Sequence, residues 1–371
     1  EKNATPGRPN HIARQRSMPL PIVTSVRAIN RKGSIVISKA DSVRIEAKLS
    51  DNKAVAGLTL EYFYDNIEKE GETKTQKEMT LADGTWTHTL PKKTDRTLVR
   101  YRMLADFGKG PEIISPRPSD PYQWHSYFVM PRSTGSNKYF ELLVPRAGTS
   151  QLSKNMSANP RSGYRPAKHI RPRGPWNDTV HGILVHDGVV RDVYARWNGS
   201  FYRRNSGRNS WKVRLPRYNR FDGRSDLMFM DKDNVTVAGH TLYRELGLPT
   251  SRTEWVDFSI NKRKMRRLLV EDHNDPLLER YHEDQVRRNP GTKLEANGHI
   301  FKSSGILQNL GPYGRGDGSK LPPHDGWSSL QRYEWIYSSK NQDWKGHTEL
   351  KEMIDGLAKH KNSRTSKSAV F

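Results

Sequence analysis

Residues 203–249 read RRNSGRNSWKVRLPRYNRFDGRSDLMFMDKDNVTVAGHTLYRELGLP. Their first residues set Arg203, Arg204 and Arg208 among Asn, Ser and Gly, which favour turns. A turn of that kind aims backbone N–H groups and guanidinium forks at one point, then runs into a strand pattern over 210–215 carrying Lys212. Phosphate oxygens suit such a set, because arginine makes bidentate charge-assisted bonds and lysine adds a point charge. A solvated basic hairpin is the plainer reading of the same residues. The pattern is neither a Walker loop nor the Gly-rich loop of ordinary kinases. A second strand is expected at 226–230, and Asn234 is suited to cap a helix over 234–246. Val235, Ala238, Gly239, Leu242 and Leu246 fall on one face of that helix, with Gly247 and Pro249 as its stop signal. Beyond it, 253–260 and 265–270 read as a strand pair around the turn 261–264. Helical patches lie near 276–287 and 348–358.

Working upstream, 182–186 and 189–195 add strands to this mixed α/β region. Residues 132–180, rich in Ser, Asn, Pro and Arg, read as a basic linker with one strand-like stretch at 139–144. Before it the pattern is all-β. Period-2 alternation recurs at 34–38, 42–49, 58–64, 85–90, 97–104 and 125–129, bounded by Asp-Asn, Asp-Gly and Pro-Lys-Lys turns. Six or seven strands in about 110 residues point to an immunoglobulin-like or fibronectin-like sandwich. The segment 81–116 resembles sandwich modules of bacterial surface proteins, whose plain role is spacer or docking module. Exposed aromatics such as Trp86 or Trp124 would instead bind carbohydrate or protein. The predicted order is a flexible leader (1–20), a sandwich (21–131), the linker (132–180) and an α+β domain (181–371). The fold class is therefore multidomain: an antiparallel β-sandwich followed by an α+β unit.

Composition narrows the function. The 371 residues carry 63 Lys+Arg against 40 Asp+Glu, a net charge of +23. The excess is local: 21–130 hold 17 basic and 14 acidic residues, whereas 161–220 hold 14 and 3. Nucleic acid, an anionic partner protein or bound phosphate would each account for it. No cysteine is present, which removes disulfides, thiolate zinc sites and cysteine nucleophiles. No apolar run approaches the ~20 residues of a membrane helix. The 13 histidines show no metal spacing, and no GxSxG elbow of a serine hydrolase is present. Arg315-Gly-Asp317 reads as a chance tripeptide, and the sequons headed by Asn155, Asn177, Asn198 and Asn234 matter only in a glycosylating pathway.

From Arg196 to Ser303 the order is basic turn, lysine strand, Asp231-Lys-Asp233, a helix closing in Glu-Leu-Gly-Leu-Pro, and a strand pair ending in Glu271. That order resembles the CotH (spore-coat) kinase family, which carries R-G-x-S-x-R before K-x-S-Y-K-x-x-L, then a D-K-S-like segment and E-L-G-L-P. Residues 298–302 (GHIFK) look like the family's G-x-L-Y-K strand. The resemblance covers under a third of the chain. It implies a partial protein-kinase-like domain, ATP and a divalent metal ion (Mg²⁺) as cofactors, and Ser/Thr of a partner protein as substrate. It also implies a secreted, surface or spore-coat location. On it, Arg204, Ser206 and Arg208 match the basic turn, Lys212 the lysine that reaches the nucleotide phosphates, and Glu271 the glutamate near the adenine hinge. Asp231 and Asp233 match the segment before the helix, where capping by the helix dipole is the plainer reading. Val235 and Thr236 break the spacing of a calcium loop there.

Two departures stand out. The family's Asn-Gly turn is Asn261-Lys262 here, followed by Arg263, Lys264, Arg266 and Arg267. The family's C-terminal N-x-D and D-x-D motifs, whose carboxylates phosphoryl transfer needs, are not found after Gly298. The expectation is a chain ending before a complete catalytic lobe, inactive alone. The alternative is a non-enzymatic basic surface or scaffold protein that binds nucleic acid or an anionic polymer. It would use 161–220 with Tyr164, Trp176, Trp197, Tyr202 and Trp211 as stacking rings.

Overall fold

In a computed structural model of the chain, the described residues are 22–69, 71–108, 110–132, 135–157, 177–199, 204, 210–232, 234–291, 299–303, 330, 337–339 and 346–359. The chain divides into two compact units, Glu1–Phe140 with Leu184–Val190, and Glu141–Ile183 with Arg191–Phe371. The fold is β-rich and multidomain.

Ten strands form the N-terminal sandwich: β1 (Val23–Ile29), β2 (Ile37–Ser38), β3 (Val43–Leu49), β4 (Gly57–Asp65), β5 (Thr75–Glu78), β6 (Thr80–Ala82), β7 (Thr85–Leu90), β8 (Leu98–Asp106), β9 (Pro111–Ser115) and β10 (His125–Met130). One sheet runs β1-β3-β7-β6; the other runs β2-β10-β8-β4-β5, with β9 also on β8. Alternation does the work: Val43, Ile45, Ala47 and Leu49 are buried while Arg44 and Lys48 are exposed. A single core joins both sheets through Ile45, Leu90, Leu60 and Met103. The hairpin from β6 to β7 turns at Asp83-Gly84, both at positive φ, as a two-residue turn requires. Trp86, read as an exposed binding aromatic, is instead buried in this core with its indole N–H donated to Asn52 Oδ1 at 2.9 Å. Trp124 is half-buried, edge-on to Phe63 at 4.9 Å with Arg102 over its ring.

The later elements are β11 (Tyr139–Leu143), α1 (Arg146–Ser157), β12 (Val180–His186), β13 (Val189–Trp197), β14 (Trp211–Arg214), β15 (Asp226–Met230), α2 (Asn234–Glu245), β16 (Thr253–Ile260), β17 (Arg263–Glu271), α3 (Asp275–Arg288), β18 (Phe301–Ser303), β19 (Tyr337–Ser339) and α4 (Gly346–Lys359). Seven strands close a barrel in the order β11-β12-β13-β14-β15-β17-β16. Stacked Phe229 and Phe258 (centroids 4.0 Å apart) fill it with Val213, Leu227, Val256 and Leu269, all fully buried. The segment expected to be linker thus contributes β11 and α1. Every residue of β11 is buried, even Glu141, which accepts from Ser259 Oγ at 3.0 Å. A strand buried on both faces has no alternation to read, and the polar sequence of α1 buries only Leu152, Asn155 and Met156 among its described side chains.

The hairpin from β16 to β17 turns at Asn261 and Lys262, with φ of 46° and 78°. Asn261 holds the turn to β11: its side chain donates to Val144 O (2.7 Å) and accepts from Val144 N (2.9 Å). Lys262 sits in the left-handed region where glycine is at ease, so the turn is made at a strain cost. Lys262→Gly is expected to raise stability by about 0.5–1 kcal/mol in urea unfolding, because lost strain outweighs the added unfolded-state freedom.

Helix α2 lies over β15–β17 through Val237, which packs with Met228, Leu268, Val270 and Trp255. The apolar stripe read from sequence faces outward instead: Val235, Leu242 and Leu246 are 76%, 58% and 64% exposed. Among the described residues no helix is long and apolar enough to cross a membrane.

Candidate functional site

On β14 the side chains alternate between the barrel interior, taken by Trp211 and Val213, and its outer surface, taken by Lys212 and Arg214. Lys212 is flanked in register by Arg196 of β13 and Met228 of β15. Its ammonium donates to Asp272 Oδ2 and lies 3.2 Å from Asp226 Oδ1. All three side chains are largely covered, at 14%, 13% and 11% exposed. Asp226 also accepts from Ser225 Oγ at 3.1 Å and faces Arg214 Nε at 3.7 Å. Lys212 is thus a part-buried cation between two carboxylates, one from the start of β15 and one just past the end of β17.

Two arginines add positive charge, Arg204 from a buried position. Arg196 donates to Trp197 O at 2.9 Å. Burial lowers its pKa against the pull of Asp272, and Arg214 adds repulsion. Arg204 donates to Gly199 O at 2.8 Å and Asn177 Oδ1 at 3.0 Å. Burial, reinforced by Arg196, pushes its pKa down to about 9, so it stays cationic at neutral pH. An anion placed here would relieve that penalty by returning an opposite charge to the guanidinium.

The remaining sequence candidates are placed as follows. Ser206 and Arg208 lie outside the described residues, as does Asp233. Asp231 is engaged by other residues: its amide donates to Ser210 Oγ (2.9 Å) and its carboxylate lies 3.5 Å from Arg267 Nη1. Glu271 is 1% exposed and is held by Arg280 at 2.6 and 3.3 Å and by the amide of Arg252 at 3.1 Å. Its carboxylate ties the end of β17 to α3 and Arg252. It belongs to a different charge cluster from Lys212, although it immediately precedes Asp272.

Sequence reading missed Arg196, Asp226 and Asp272. Arg196 was recoverable from cross-strand register once β13 and β14 were paired. Asp272 lies 60 residues from Lys212, and no motif spacing links the two. Of the aromatics offered as base-stacking rings, Trp197 and Trp211 are buried against each other at 6.1 Å. Tyr164, Trp176 and Tyr202 lie outside the described residues.

The cations a nucleotide's phosphates would meet here are Lys212, already paired with Asp226 and Asp272, and Arg196 beside it. For a divalent ion the fit is poor. Among the described residues no three His, Asp or Glu gather, and Asp226 and Asp272 are already paired with Lys212.

Compared with known proteins, the chain matches no family model and no curated protein. Among solved structures it is similar to one described as "Crystal structure of Br derivative BhCBM56". The two are 12% identical, the match covers 30% of this chain and 96% of the other, and the TM-score is 0.20. So low a score defines neither fold nor ligand.

Proposed function

We propose that this chain is a secreted or surface CotH-type kinase-like protein whose Lys212 surface binds the phosphates of ATP. The observation that carries the reading is the part-buried Lys212 ammonium on a barrel strand, with Arg196 opposite it in register and Arg204 in turn adding its charge to that of Arg196. In this reading Lys212 takes the phosphate oxygens. Glu271 acts indirectly, by fixing the strand end from which Asp272 reaches Lys212. ATP would supply the transferable phosphoryl group, and Ser/Thr of a partner protein would accept it. No step through Mg²⁺ follows from the described residues.

Lys212→Ala is expected to weaken binding of an ATP analogue by about 10–100-fold, the value of one or two charge-assisted hydrogen bonds. Lys232→Ala, a nearby charge loss of the same size, is expected to change it less than about twofold. Calorimetric titration of the full chain measures both. Equal effects, or no nucleotide binding by the native chain, would overturn the reading. Polynucleotide binding that is lost steeply with salt, without any ATP binding, would favour the basic scaffold instead.

A further inference from the structure

Helix α2 is turned inside out. Val237 meets the sheet, and His240, Thr241 and Arg244 share its side at helical spacing and are half-buried. The opposite side carries the exposed Val235, Leu242 and Leu246, with Tyr243 at 53% exposure beside them. Ala238 and Gly239 lie between these large side chains. A Cβ added to Gly239 would meet nothing within 4 Å, so the helix has a hollow there that opens outwards. A contiguous apolar face of this kind marks a surface that another molecule covers. Its charge is Glu245 alone, near the C-terminal end of the helix. A lipid surface calls for Lys or Arg along the flanks of such a face, and this face has none.

We infer that two copies of the chain pair through this face, α2 against α2 in antiparallel order about a two-fold axis. Such an axis makes one patch meet itself, so the patch must be self-complementary. Centred between residues 240 and 241, the antiparallel register sets Val235 opposite the partner's Leu246. It also sets Leu242 and Tyr243 over the partner's Gly239 and Ala238, so bulk meets hollow. Glu245 falls beside the first turn of the partner's α2, where the helix dipole is positive, and the two dipoles oppose. Parallel order would set Leu242 against Leu242, leave Gly239 facing Gly239, and bring the two Glu245 carboxylates together. The twelve residues of α2 can cover about 400–500 Å² per copy, roughly half of a standard interface, so the pairing is reversible. A Kd of about 10–100 μM is expected. The pairing is independent of the reading of Lys212 and holds whether or not the chain binds a nucleotide.

Sedimentation velocity of the full chain, from about 1 to 300 μM, is expected to show the mass rising towards that of two copies. Leu242→Asp is expected to hold the chain monomeric over the same range. Gly239→Leu fills the hollow and is expected to weaken pairing by about tenfold or more. The same variant is expected to melt no lower than the native chain, because glycine is a poor helix former. A native chain that stays monomeric throughout would overturn the inference. So would a dimer that survives both substitutions, since it pairs elsewhere. Monomers that instead bind anionic vesicles, and lose that binding with Leu242→Asp, would assign the face to lipid and overturn the pairing. The register is tested by thiols, because the native chain has no cysteine. Val235→Cys chains mixed with Leu246→Cys chains under oxidised glutathione are expected to give the mixed disulfide in excess of either homodimer. Homodimers in excess of the mixed species would contradict the antiparallel order. Thermal melting of each variant confirms that folded chains are compared.

Discussion

Glu271→Ala is expected to cost about 3–5 kcal/mol of unfolding free energy, measured in urea. The carboxylate is 1% exposed and satisfies two nitrogens of Arg280, whose side chain is only 15% exposed. It also accepts the Arg252 amide at 3.1 Å and faces the Arg252 guanidinium at 3.6 Å. Truncation takes the closest anion from a part-buried guanidinium, leaving it only Asp284 at 3.5 Å, and strips the Arg252 N–H of its acceptor, which is dearer than the net worth of the pair. Arg280 keeps a bond to Thr250 O at 2.8 Å, so the loss stops short of the full desolvation of the ion. Removing both partners, Glu271→Ala with Arg280→Ala, is expected to recover about 1–3 kcal/mol relative to additivity. A loss under about 1 kcal/mol would contradict the clasp. If Glu271 met the nucleotide directly, Glu271→Gln would weaken ATP binding more than it weakened the fold.

The second large effect is in the sandwich. His125 donates or accepts with Ser115 Oγ at 2.8 Å, between the rings of Tyr101 and Tyr122. Burial pushes its pKa down to about 4, against a smaller opposite pull from Asp120. The neutral imidazole is therefore the form the fold accepts. The unfolded chain takes up a proton as pH falls below about 6.5, while the folded chain resists until about 4. Stability from this group is complete above pH 6.5 and is lost as pH falls towards 4. The loss amounts to about 3 kcal/mol once both states are protonated. Carboxylates titrate over the same range, so the quantity to compare is the pH 7 minus pH 4 difference in native chain and in His125→Gln. The variant is expected to show the smaller difference, by about 2–3 kcal/mol. Identical pH profiles would contradict a buried neutral imidazole.

The sequence revealed what alternates. Val43, Ile45, Ala47 and Leu49 announced their strand, and the pair around Asn261 was legible as a turn despite Lys262. Strands with little to bury were missed: all of β6 and most of β5 are exposed at a sheet edge. The fully buried β11 was legible only as an apolar run inside polar surroundings. For α2 the apolar spacing correctly gave a helix but not its inward side, because Val237, off the main stripe, makes the packing contact. The site shows the same division. Lys212 stood out beside a basic turn within a few residues. Its carboxylates did not, because Asp226 and Asp272 meet it through sheet pairing of β14, β15 and β17. Glu271, read from the sequence as a cofactor-binding residue, lies in a neighbouring clasp with Arg280 and Arg252.

If Lys212 is the lysine at the nucleotide phosphates, as proposed, it is the amine nearest their oxygens. An ATP acyl phosphate tests it at the level of the atom: a lysine amine beside the phosphates attacks the acyl carbonyl, forms an amide and releases ATP. Peptide mass spectrometry then reads which lysine was acylated. The expected result is acylation of Lys212 that excess ATP suppresses, with Lys232, Lys262 and Lys264 labelled only at the ATP-insensitive background. Labelling spread over those surface lysines, with Lys212 no different from the rest, would contradict the account.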